Sequence, residues 1–280
     1  MVIVADSGGS KIDWRFLRKD SSIGQASSTG FNPYYQPLDH LNKIIDEILL
    51  PNIHDKVSKI FFYGTGVSSE KNVESIRSVF AEYFPDAATE VGWDLLAAAR
   101  ALCGREPGIA CILGTGSNSC LYDGEKIIDN VANLGWILAD EGSGTYMGKQ
   151  IVFDYFRNEM PTKLAEQFHA RFPWSREEVL EKVYQEEKPG AFLASFSKFI
   201  FQHVKEPYCY KLAYNSISDF FENNVMKYKD YKNLKVHLVG SIGFYFSDVV
   251  RQVANDKGVT LKNILESPIA GLTLYHQKDL

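Results

Sequence analysis

The N-terminal hydrophobic and polar positions follow a pattern typical of a β-meander. The segments VIVAD, IDWRFL and IGQASST are separated by the turn-forming segments SGGSK and RKDSS. LDHLNKIIDEILL then has helical spacing, KIFFYG is typical of a buried strand, and SSEKNVESIRSVFAEYF predicts a helix that begins with a serine cap. The first part of the chain therefore predicts a mixed sheet with helices.

The same order of elements recurs later in the chain. IACILGTGSNSCLYDGEKIID repeats the plan of strand, glycine turn, strand, charged turn and strand. KVHLVGSIGFYFSDVVRQVA repeats the strand, turn and helix of KIFFYGTGVSSEKNVESIRSVF. The repetition predicts an α/β protein of two similar lobes, residues 1–107 and 108–267, with a boundary in the turn-rich segment CGREPG.

Between the repeated elements of the second lobe, residues from about 142 to 228 have helical spacing. This block predicts a helical insertion in that lobe. Its aromatic stripe FLASFSKFIF is most simply a helix face that packs in the core.

Composition excludes several classes of function. With 45% hydrophobic and 23% charged residues in 280, and no apolar stretch near membrane-spanning length, we expect a globular protein without a membrane span. The N-terminus MVIVADSGG lacks the positive region of a secretory signal, so the cytoplasm is the expected compartment. A net charge of −5 offers no basic surface for nucleic acid or anionic membranes.

The cysteines Cys103, Cys111, Cys120 and Cys209 show no metal-ligand or disulfide spacing. We interpret them as small buried hydrophobic residues.

Two glycine turns are candidates for phosphate binding. DSGGSK (residues 6–11) follows the first strand and GTGSN (114–118) stands at the equivalent place in the second lobe. Backbone N–H groups in such turns form concave anion sites, although one such turn alone is more typical of an ordinary hairpin, and the second copy favours phosphate binding. Asp6, at the end of the first strand, could hold a hydrated Mg²⁺ ion.

Acidic residues begin two predicted helices. Asp94 in VGWDLLAAARAL, and Asp140 and Glu141 in ILADEGSGTYMG, stand where a carboxylate is favoured by the helix dipole. Helix capping alone would explain one carboxylate at each place. The turn DEGSG is more elaborate than capping requires and could reach sugar hydroxyls.

Two common nucleotide motifs are absent. GTGSNS lacks the third glycine of the dinucleotide fingerprint and precedes a strand, and no Walker A lysine pattern occurs. What remains is a pair of hairpin turns that together could bind a polyphosphate.

Taken together, DSGGSK, GTGSN, DEGSG and VGS resemble the signature of the N-acetylglucosamine kinase and BadF/BadG/BcrA/BcrD-type ATPase family. This family belongs to the actin and sugar kinase superfamily, so the resemblance implies a two-lobed actin-like (ribonuclease H-like) fold. It also implies that a last helix, 268–280, packs on the first lobe, and that the protein is a homodimer using ATP and Mg²⁺.

The resemblance implies a role for each matching residue. Asp94 stands at the catalytic aspartate, and Asp6 begins the loop that matches D-G-G-G-T-K, with Ser7 for a glycine and Ser10 for the threonine. The residues implied to border ATP are Gly8, Gly9, Ser10, Lys11, Gly114, Thr115, Gly116, Ser117, Gly240 and Ser241. Those implied to contact the sugar are Asn32, Asn118, Gly135 and Asp140.

The implied reaction is transfer of the ATP γ-phosphoryl group to the 6-hydroxyl of an amino sugar. One segment departs from the family pattern: NLGWILADEG places Leu134 where the pattern has Trp and Ala139 where it has Gly. N-acetylglucosamine, glucosamine and N-acetylmuramic acid therefore all remain candidates. The alternatives are a BadF-type energy-coupling ATPase that acts on a protein partner, and a sensor that binds without turnover.

Overall fold

The computed structural model of the chain describes residues 1–9 and 11–280, which form two compact units. The first unit comprises Met1–Glu106, Gly124–Lys126 and Ser267–Leu280. The second comprises Pro107–Asp123 and Ile127–Glu266. Each unit contains its own sheet and its own hydrophobic core.

The first unit contains a five-stranded sheet of order β3-β2-β1-β4-β5. Its strands are β1 (Val2–Ser7), β2 (Lys11–Leu17), β3 (Ile23–Thr29), β4 (Lys59–Gly64) and β5 (Ala88–Trp93). The first three strands run antiparallel, whereas β4 pairs parallel with both β1 and β5. The predicted meander is confirmed, and β5 is a strand that the sequence pattern did not predict.

Three helices follow the strands of this unit: α1 (Leu38–Ile44), α2 (Glu70–Tyr83) and α3 (Asp94–Cys103). α1 continues into a π-helical turn, Ile45–Leu49. α2 begins where the Ser69 hydroxyl accepts a hydrogen bond from the Asn72 amide, as the serine cap predicted. Helix α3 starts directly after β5, so its first residue, Asp94, immediately follows the last residue of that strand, Trp93.

The second unit repeats the sheet with the order β10-β9-β6-β7-β8. Its strands are β6 (Gly108–Leu113), β7 (Ser117–Tyr122), β8 (Ile127–Asp129), β9 (Val236–Val239) and β10 (Leu261–Leu265). As in the first sheet, three consecutive strands are antiparallel and the other two add in parallel. The predicted duplication of a mixed sheet is confirmed.

Helices occupy the chain between β8 and β9, as predicted for the insertion. They are α4 (Gly135–Leu138), α5 (Gly144–Phe156), α6 (Thr162–Arg171), α7 (Arg176–Tyr184), α8 (Pro189–Ser195), α9 (Ser197–Gln202) and α10 (Pro207–Asn223). Two further helices, α11 (Ser241–Tyr245) and α12 (Ser247–Asp256), follow β9.

The aromatic stripe of α8 and α9 packs in the core of the second unit. Phe196 and Phe199 are buried, and both lie against Phe168 of α6 with ring centroids 5.5 and 5.2 Å away. The interpretation of this stripe as a helix core is confirmed. Phe201, at the end of the stripe, is 38% exposed.

The last helix, α13 (Ile269–His276), is part of the first unit and contacts α3. Its His276 is buried, stacks on Phe61 at 3.7 Å, and shares a 2.8 Å hydrogen bond with the Tyr63 hydroxyl. On the other side of the ring, His276 Nδ1 lies 2.9 Å from Asp279 Oδ2. These contacts anchor the end of the described chain to β4.

All four cysteines are buried, as interpreted from the sequence, and burial raises the pKa of Cys103 to about 12. Among the residues described, none of the helices combines the length and the apolar character that crossing a bilayer requires.

Candidate functional site

The first predicted phosphate turn joins β1 to β2. The Gly8 amide donates to the Lys11 carbonyl at 2.9 Å, which closes a hairpin turn, and an added Cβ at Gly9 would meet no atom within 4 Å. Lys11 is exposed and its Nζ lies 2.8 Å from Asp13 Oδ1. Ser10, predicted here, lies outside the described residues. The turn is open on the side of Gly9, where a ligand can approach the backbone.

Asp6 is the second-to-last residue of β1, beside this turn. Its pKa is raised to about 7, first by burial and then by the charges of Asp13 and Asp94, with Lys11 acting in the opposite direction. Asp6 and Asp94, which the sequence could only name separately, therefore lie close enough for their charges to interact. A carboxylate with two acidic neighbours has its ionised form stabilised by a cation.

Asp94 is the first residue of α3, where β5 ends. The cap position is Trp93, so the interpretation of Asp94 as a plain cap is wrong, although its Oδ1 accepts a 2.8 Å hydrogen bond from the Leu95 amide. Burial raises the pKa of Asp94 to about 6, against the lowering effect of that bond. The carboxylate is therefore fixed in place, with a pKa close to neutral pH.

Asn32 lies after β3, in the same unit. Its Oδ1 accepts a hydrogen bond from the Tyr34 amide at 3.0 Å. Gly66, in the turn after β4, has φ +75°, and a Cβ there would stand 2.3 Å from Asn32 Oδ1. The turn after β4 can lie this close to Asn32 only because residue 66 is glycine.

The second predicted phosphate turn, between β6 and β7, is fixed to the start of α5. The Gly114 carbonyl accepts from the Gly144 amide at 2.8 Å. The Thr115 carbonyl accepts from the Thr145 amide at 3.1 Å and from the Thr145 hydroxyl at 2.7 Å. Because the carbonyls point to α5, the turn has a defined orientation.

Asp140 joins this turn to the segment before α5. It is 8% exposed, and its Oδ1 accepts from the Ser117 amide at 3.1 Å and from Asn133 Nδ2 at 3.2 Å. An added Cβ at Gly116 would lie 2.9 Å from Oδ2 of the same carboxylate. Asp140 also has φ +62°, a backbone conformation that is uncommon outside glycine and that concentrates at functional sites.

Capping does not explain the DEGSG turn. The residue that caps α5 is Ser143, whose hydroxyl accepts from the Tyr146 amide at 3.1 Å. The alternative that Asp140 or Glu141 is simply the cap is therefore wrong.

Asn133 is a residue of this network that sequence reasoning missed. Its amide group donates to Asp140 and to the Ser117 carbonyl, while its Oδ1 accepts from the Gly135 amide at 2.7 Å. The only signal in the sequence was its position just before Gly135, in the segment that departs from the family pattern.

The remaining residues predicted to contact the sugar flank this network. Asn118 Oδ1 accepts from the Ser119 amide at 2.9 Å and from Asn130 Nδ2 at 3.1 Å. Gly135 starts α4 with φ +73°, and Leu134 before it is 60% exposed. The altered segment thus presents an apolar side chain to solvent next to the Asp140 network.

Gly240 and Ser241 form the turn from β9 into α11. Gly240 has φ +119°, and a Cβ there would lie 2.4 Å from the Leu113 carbonyl oxygen, so only glycine fits. Ser241 lines a cavity of about 460 Å³ within the second unit. The cavity is also lined by Gly114, Thr115, Gly144, Ala191, Ala194, Ser195, Ser197, Lys198, Phe201, Gln202, Ile242, Tyr245 and Phe246.

Each unit thus brings some of the predicted residues together. In the first unit, Lys11 and Asp94 both lie within electrostatic reach of Asp6. In the second, residues 114–117 and Asp140 share one hydrogen-bond network, and Gly114, Thr115 and Ser241 line one cavity.

Comparisons with known proteins identify relatives through structure. No protein-family model matches the sequence, and no curated protein matches it either. Among solved structures, the chain is similar to a provisionally assigned N-acetylglucosamine kinase from Porphyromonas gingivalis, with 38% identity over 100% of this chain and 99% of that chain, and a TM-score of 0.92.

Two more distant structures share the fold. A provisionally assigned N-acetylglucosamine kinase from Chromobacterium violaceum matches with 16% identity, 98% coverage of both chains and a TM-score of 0.68. A ROK family glucokinase from Streptomyces griseus, solved with glucose and AMPPNP, matches with 13% identity, 99% and 98% coverage, and a TM-score of 0.59. Given the first match over its whole length, the chain belongs to the N-acetylglucosamine kinase family, and its duplicated mixed sheets have the two-lobed fold of actin-like ATPases.

Proposed function

We propose that the protein transfers the γ-phosphoryl group of ATP to the 6-hydroxyl of an amino sugar. The observation that carries the proposal is the Asp140 network, in which a strained, buried carboxylate is hydrogen-bonded to the glycine turn 114–117. Such a link gives the phosphate turn and a sugar-binding carboxylate a fixed relation to each other. Precise positioning is what phosphoryl transfer requires, because its loose transition state needs little covalent chemistry from the protein.

The nucleoside of ATP is proposed to occupy the cavity lined by Ser241. Its volume, about 460 Å³, suits a small-molecule ligand. Phe201 and Tyr245 offer aromatic surface for a base, while Thr115 and Lys198 offer polar groups at the same cavity. The turn residues Gly8, Gly9 and Lys11 are also proposed to contact phosphate groups.

Mg²⁺ is proposed to bind beside Asp6, near the end of β1. The Asp6 carboxylate offers the hard oxygen ligands that Mg²⁺ prefers, and a neighbouring cation would favour its ionised form against the burial and acidic neighbours that raise its pKa. Asp6 would hold the ion through water. When bound with ATP, Mg²⁺ neutralises charge on the phosphate oxygens.

Asp94 is proposed to act as the general base that accepts the proton of the attacking hydroxyl. Its pKa of about 6 leaves it ionised yet still basic near neutral pH. The hydrogen bond from the Leu95 amide orients the carboxylate. This combination of a fixed geometry and a pKa near working pH is what a general base needs.

The sugar is proposed to be bound by Asp140, Asn32, Asn118 and Gly135. Asp140 Oδ1 already accepts two protein donors, so Oδ2, above Gly116, is the oxygen offered to a sugar hydroxyl. The exposed Leu134 beside this network is proposed to set the choice among amino sugars.

The experiment is ADP release by the full-length protein with Mg-ATP and a panel of amino sugars, together with glucose. The proposal expects one amino sugar to raise the rate well above the rate without sugar. Asp94→Asn should lower the sugar-dependent rate by about a hundredfold to ten-thousandfold, the usual contribution of a general base. Asp86→Asn is the control, since Asp86 is an exposed aspartate of the same unit paired with Lys56. ADP release that no sugar increases would contradict the proposal.

The energy-coupling alternative is disfavoured by the cysteines. An iron–sulfur cluster shared between subunits needs accessible thiolates. All four cysteines here are buried, and burial raises the pKa of Cys209 as well as of Cys103 to about 12. A homodimer in the cytoplasm remains part of the proposal, on the family resemblance alone, and light scattering on the purified protein tests the dimer.

A further inference from the structure

Asn133, to which the proposed function gives no role, lies between β8 and α4 and joins three parts of the second unit. Its Nδ2 donates to the Ser117 carbonyl at the start of β7, and to Asp140 Oδ1 at 3.2 Å. Its Oδ1 accepts from the Gly135 amide at 2.7 Å, where α4 begins. One side chain therefore contacts the phosphate turn, the carboxylate proposed for the sugar, and the first residue of α4.

These partners fix the orientation of the Asn133 amide group. A carboxamide nitrogen carries two hydrogens, and the carboxamide oxygen carries none. Here both hydrogens meet acceptors, while the oxygen meets an N–H donor. An amide rotated by 180° would point its oxygen at a carbonyl and a carboxylate, which would repel it. The side chain is therefore held in one of its two orientations.

Ser117 completes a closed ring of hydrogen bonds with Asn133 and Asp140. The Ser117 amide donates to Asp140 Oδ1 at 3.1 Å, and its carbonyl accepts from Asn133. Ser117 is 6% exposed and pairs with Leu113 in the sheet, so the ring is built on a fixed point of the fold. The two donors on Oδ1 hold the Asp140 carboxylate against rotation and leave Oδ2 outside the ring.

The main chain of Asp140 requires support from its surroundings. Its φ of +62° is uncommon for a residue other than glycine and persists only where neighbouring contacts hold it. The Ser143 amide donates to the Asp140 carbonyl at 3.1 Å, which holds the main chain. The side chain is held by Ser117 and Asn133. Removal of the Asn133 side chain would therefore loosen the carboxylate itself.

Helix α4 has anchors that do not involve Asn133. The Ala139 amide donates to the Gly135 carbonyl at 2.8 Å, and Lys149 Nζ of α5 donates to the Trp136 carbonyl at 2.5 Å. Asn133 is itself an exposed residue, so its truncation leaves no buried cavity. An effect of Asn133 on the reaction would therefore come from the orientation of Asp140 and not from loss of the fold.

We propose that Asn133 is a positioning residue of the kinase site, an inference that rests on the function proposed above. By donating to Asp140 Oδ1, it keeps Oδ2 available to a hydroxyl of the amino sugar. By accepting from the Gly135 amide, it couples the position of α4 to the same carboxylate. Such positioning matters because a misplacement of about 1 Å can cost on the order of a hundredfold in rate.

The test is a double-mutant cycle of Asn133→Ala and Asp140→Asn in the full-length protein. Initial rates of ADP release give kcat and the KM values for ATP and for the amino sugar that stimulates the wild type. Asn133→Ala should raise the KM for the sugar by about tenfold, as for loss of one hydrogen bond to a charged group, with little change in the KM for ATP. In the Asp140→Asn background the same change should add at most about threefold, because the charge that Asn133 orients is absent. Independent effects that multiply to about a hundredfold would overturn the proposal.

Asn133→Asp separates the lost hydrogen bonds from the lost volume. Aspartate has nearly the same shape and can still accept from the Gly135 amide, but it cannot donate to Asp140 and places a second negative charge beside it. The KM for the sugar should therefore rise at least as far as in Asn133→Ala. A wild-type KM in Asn133→Asp would show that the donated hydrogen bonds are not needed, and would overturn the proposal.

Asn52→Ala is the matched control. Asn52 belongs to the first unit and is partly buried, and its Nδ2 donates to the Ile48 carbonyl at 2.8 Å. This variant also loses an amide donor, so thermal melting should report a lower stability while the KM for the sugar stays unchanged. If no sugar stimulates the wild type, the proposed function fails and this inference fails with it. If a sugar does, but Asn133→Ala has the same KM as Asn52→Ala, only this inference is overturned.

Discussion

At the scale of single residues, the candidate site contains three close approaches, each of which depends on a glycine. Gly66 closes on Asn32, Gly116 on Asp140, and Gly240 on the Leu113 carbonyl. The sequence identified Gly116 and Gly240 as members of glycine turns, because such turns are visible locally. It could not identify Asn133, because the partner Ser117 is distant in sequence and the contact exists only after folding.

Asp140→Asn tests the sugar-side carboxylate. The asparagine Oδ1 can still accept from the Ser117 amide, so the fold should persist while the charge is lost. We expect the KM for the amino sugar to rise by about tenfold or more, as for loss of a hydrogen bond with a charged partner, with little change in the KM for ATP. The neighbouring Glu141→Gln is the control, measured by the same initial-rate assay. An unchanged KM for the sugar in Asp140→Asn would remove Asp140 from the sugar site.

Gly240→Ala tests the turn into α11. Its φ of +119° and the 2.4 Å approach to the Leu113 carbonyl leave no room for a methyl group. We expect the free energy of unfolding to fall by at least about 2 kcal/mol, from backbone strain and the displaced carbonyl. Gly243→Ala, within α11 three residues later, is the control, because its Cβ would meet only ordinary contacts from 3.5 Å outward. Denaturant unfolding measures both, and equal losses would contradict this explanation.

At the scale of elements, hydrophobic periodicity predicted the strands and helices with strong patterns and missed the weak ones. β1, β4 and β6 are apolar runs that end in glycine turns, and all were visible in the sequence. β5 and β10 were missed because ATEVGW and LKNIL mix polar and apolar residues, and their place in a sheet depends on the parallel neighbours β4 and β9. This miss concealed the fact that Asp94 follows a strand directly.

The serine cap of α2 allows a test at this scale. Ser69→Ala removes the hydroxyl that accepts from the Asn72 amide, and should lower the free energy of unfolding by about 1 kcal/mol. Ser78→Ala, in the exposed middle of the same helix, should leave it unchanged or raise it by a few tenths of a kcal/mol, because alanine is the better helix former. Chemical denaturation of the two variants gives the comparison. The reverse order of stability would contradict the assignment of Ser69 as the cap.

At the scale of the whole molecule, the duplicated sheet followed from repetition in the sequence, and the helical block between β8 and β9 followed from helical spacing. The sequence did not show which contacts hold the last helix, α13, against the sheet of the first unit. In the first unit, His276 of α13 is buried between Phe61, Tyr63 and Asp279, which ties the last helix to the sheet. That arrangement has a consequence for the stability of the protein at different pH values.

Burial lowers the pKa of His276 below its ordinary value of 6.5, despite the opposing effect of Asp279. The folded state therefore favours the neutral ring, and this stability is present above pH 6.5 and lost as the pH falls toward the lowered pKa. In His276→Gln this loss should disappear. The difference is measured as the pH dependence of the free energy of unfolding, with a slope of at most about 1.4 kcal/mol per pH unit. A wild type and variant with parallel pH curves would contradict it.

The pKa shifts of Asp6 and Asp94 change the stability with pH in the opposite direction to that of His276. Their pKa values are raised to about 7 and 6, so the stability they contribute is present at acidic pH and lost as the pH rises through those values. Residues proposed for catalysis thus reduce stability near neutral pH, which is expected where function requires buried charge.

The most direct test of the central claim is phosphorus NMR of the products formed from ATP, Mg²⁺ and the amino sugar that stimulates ADP release. The account predicts ADP and an equal amount of a sugar phosphomonoester, whose phosphorus couples to the two protons of a primary carbon. ADP with inorganic phosphate and no phosphomonoester would show that water is the acceptor, and would contradict the assignment of this protein as a sugar kinase.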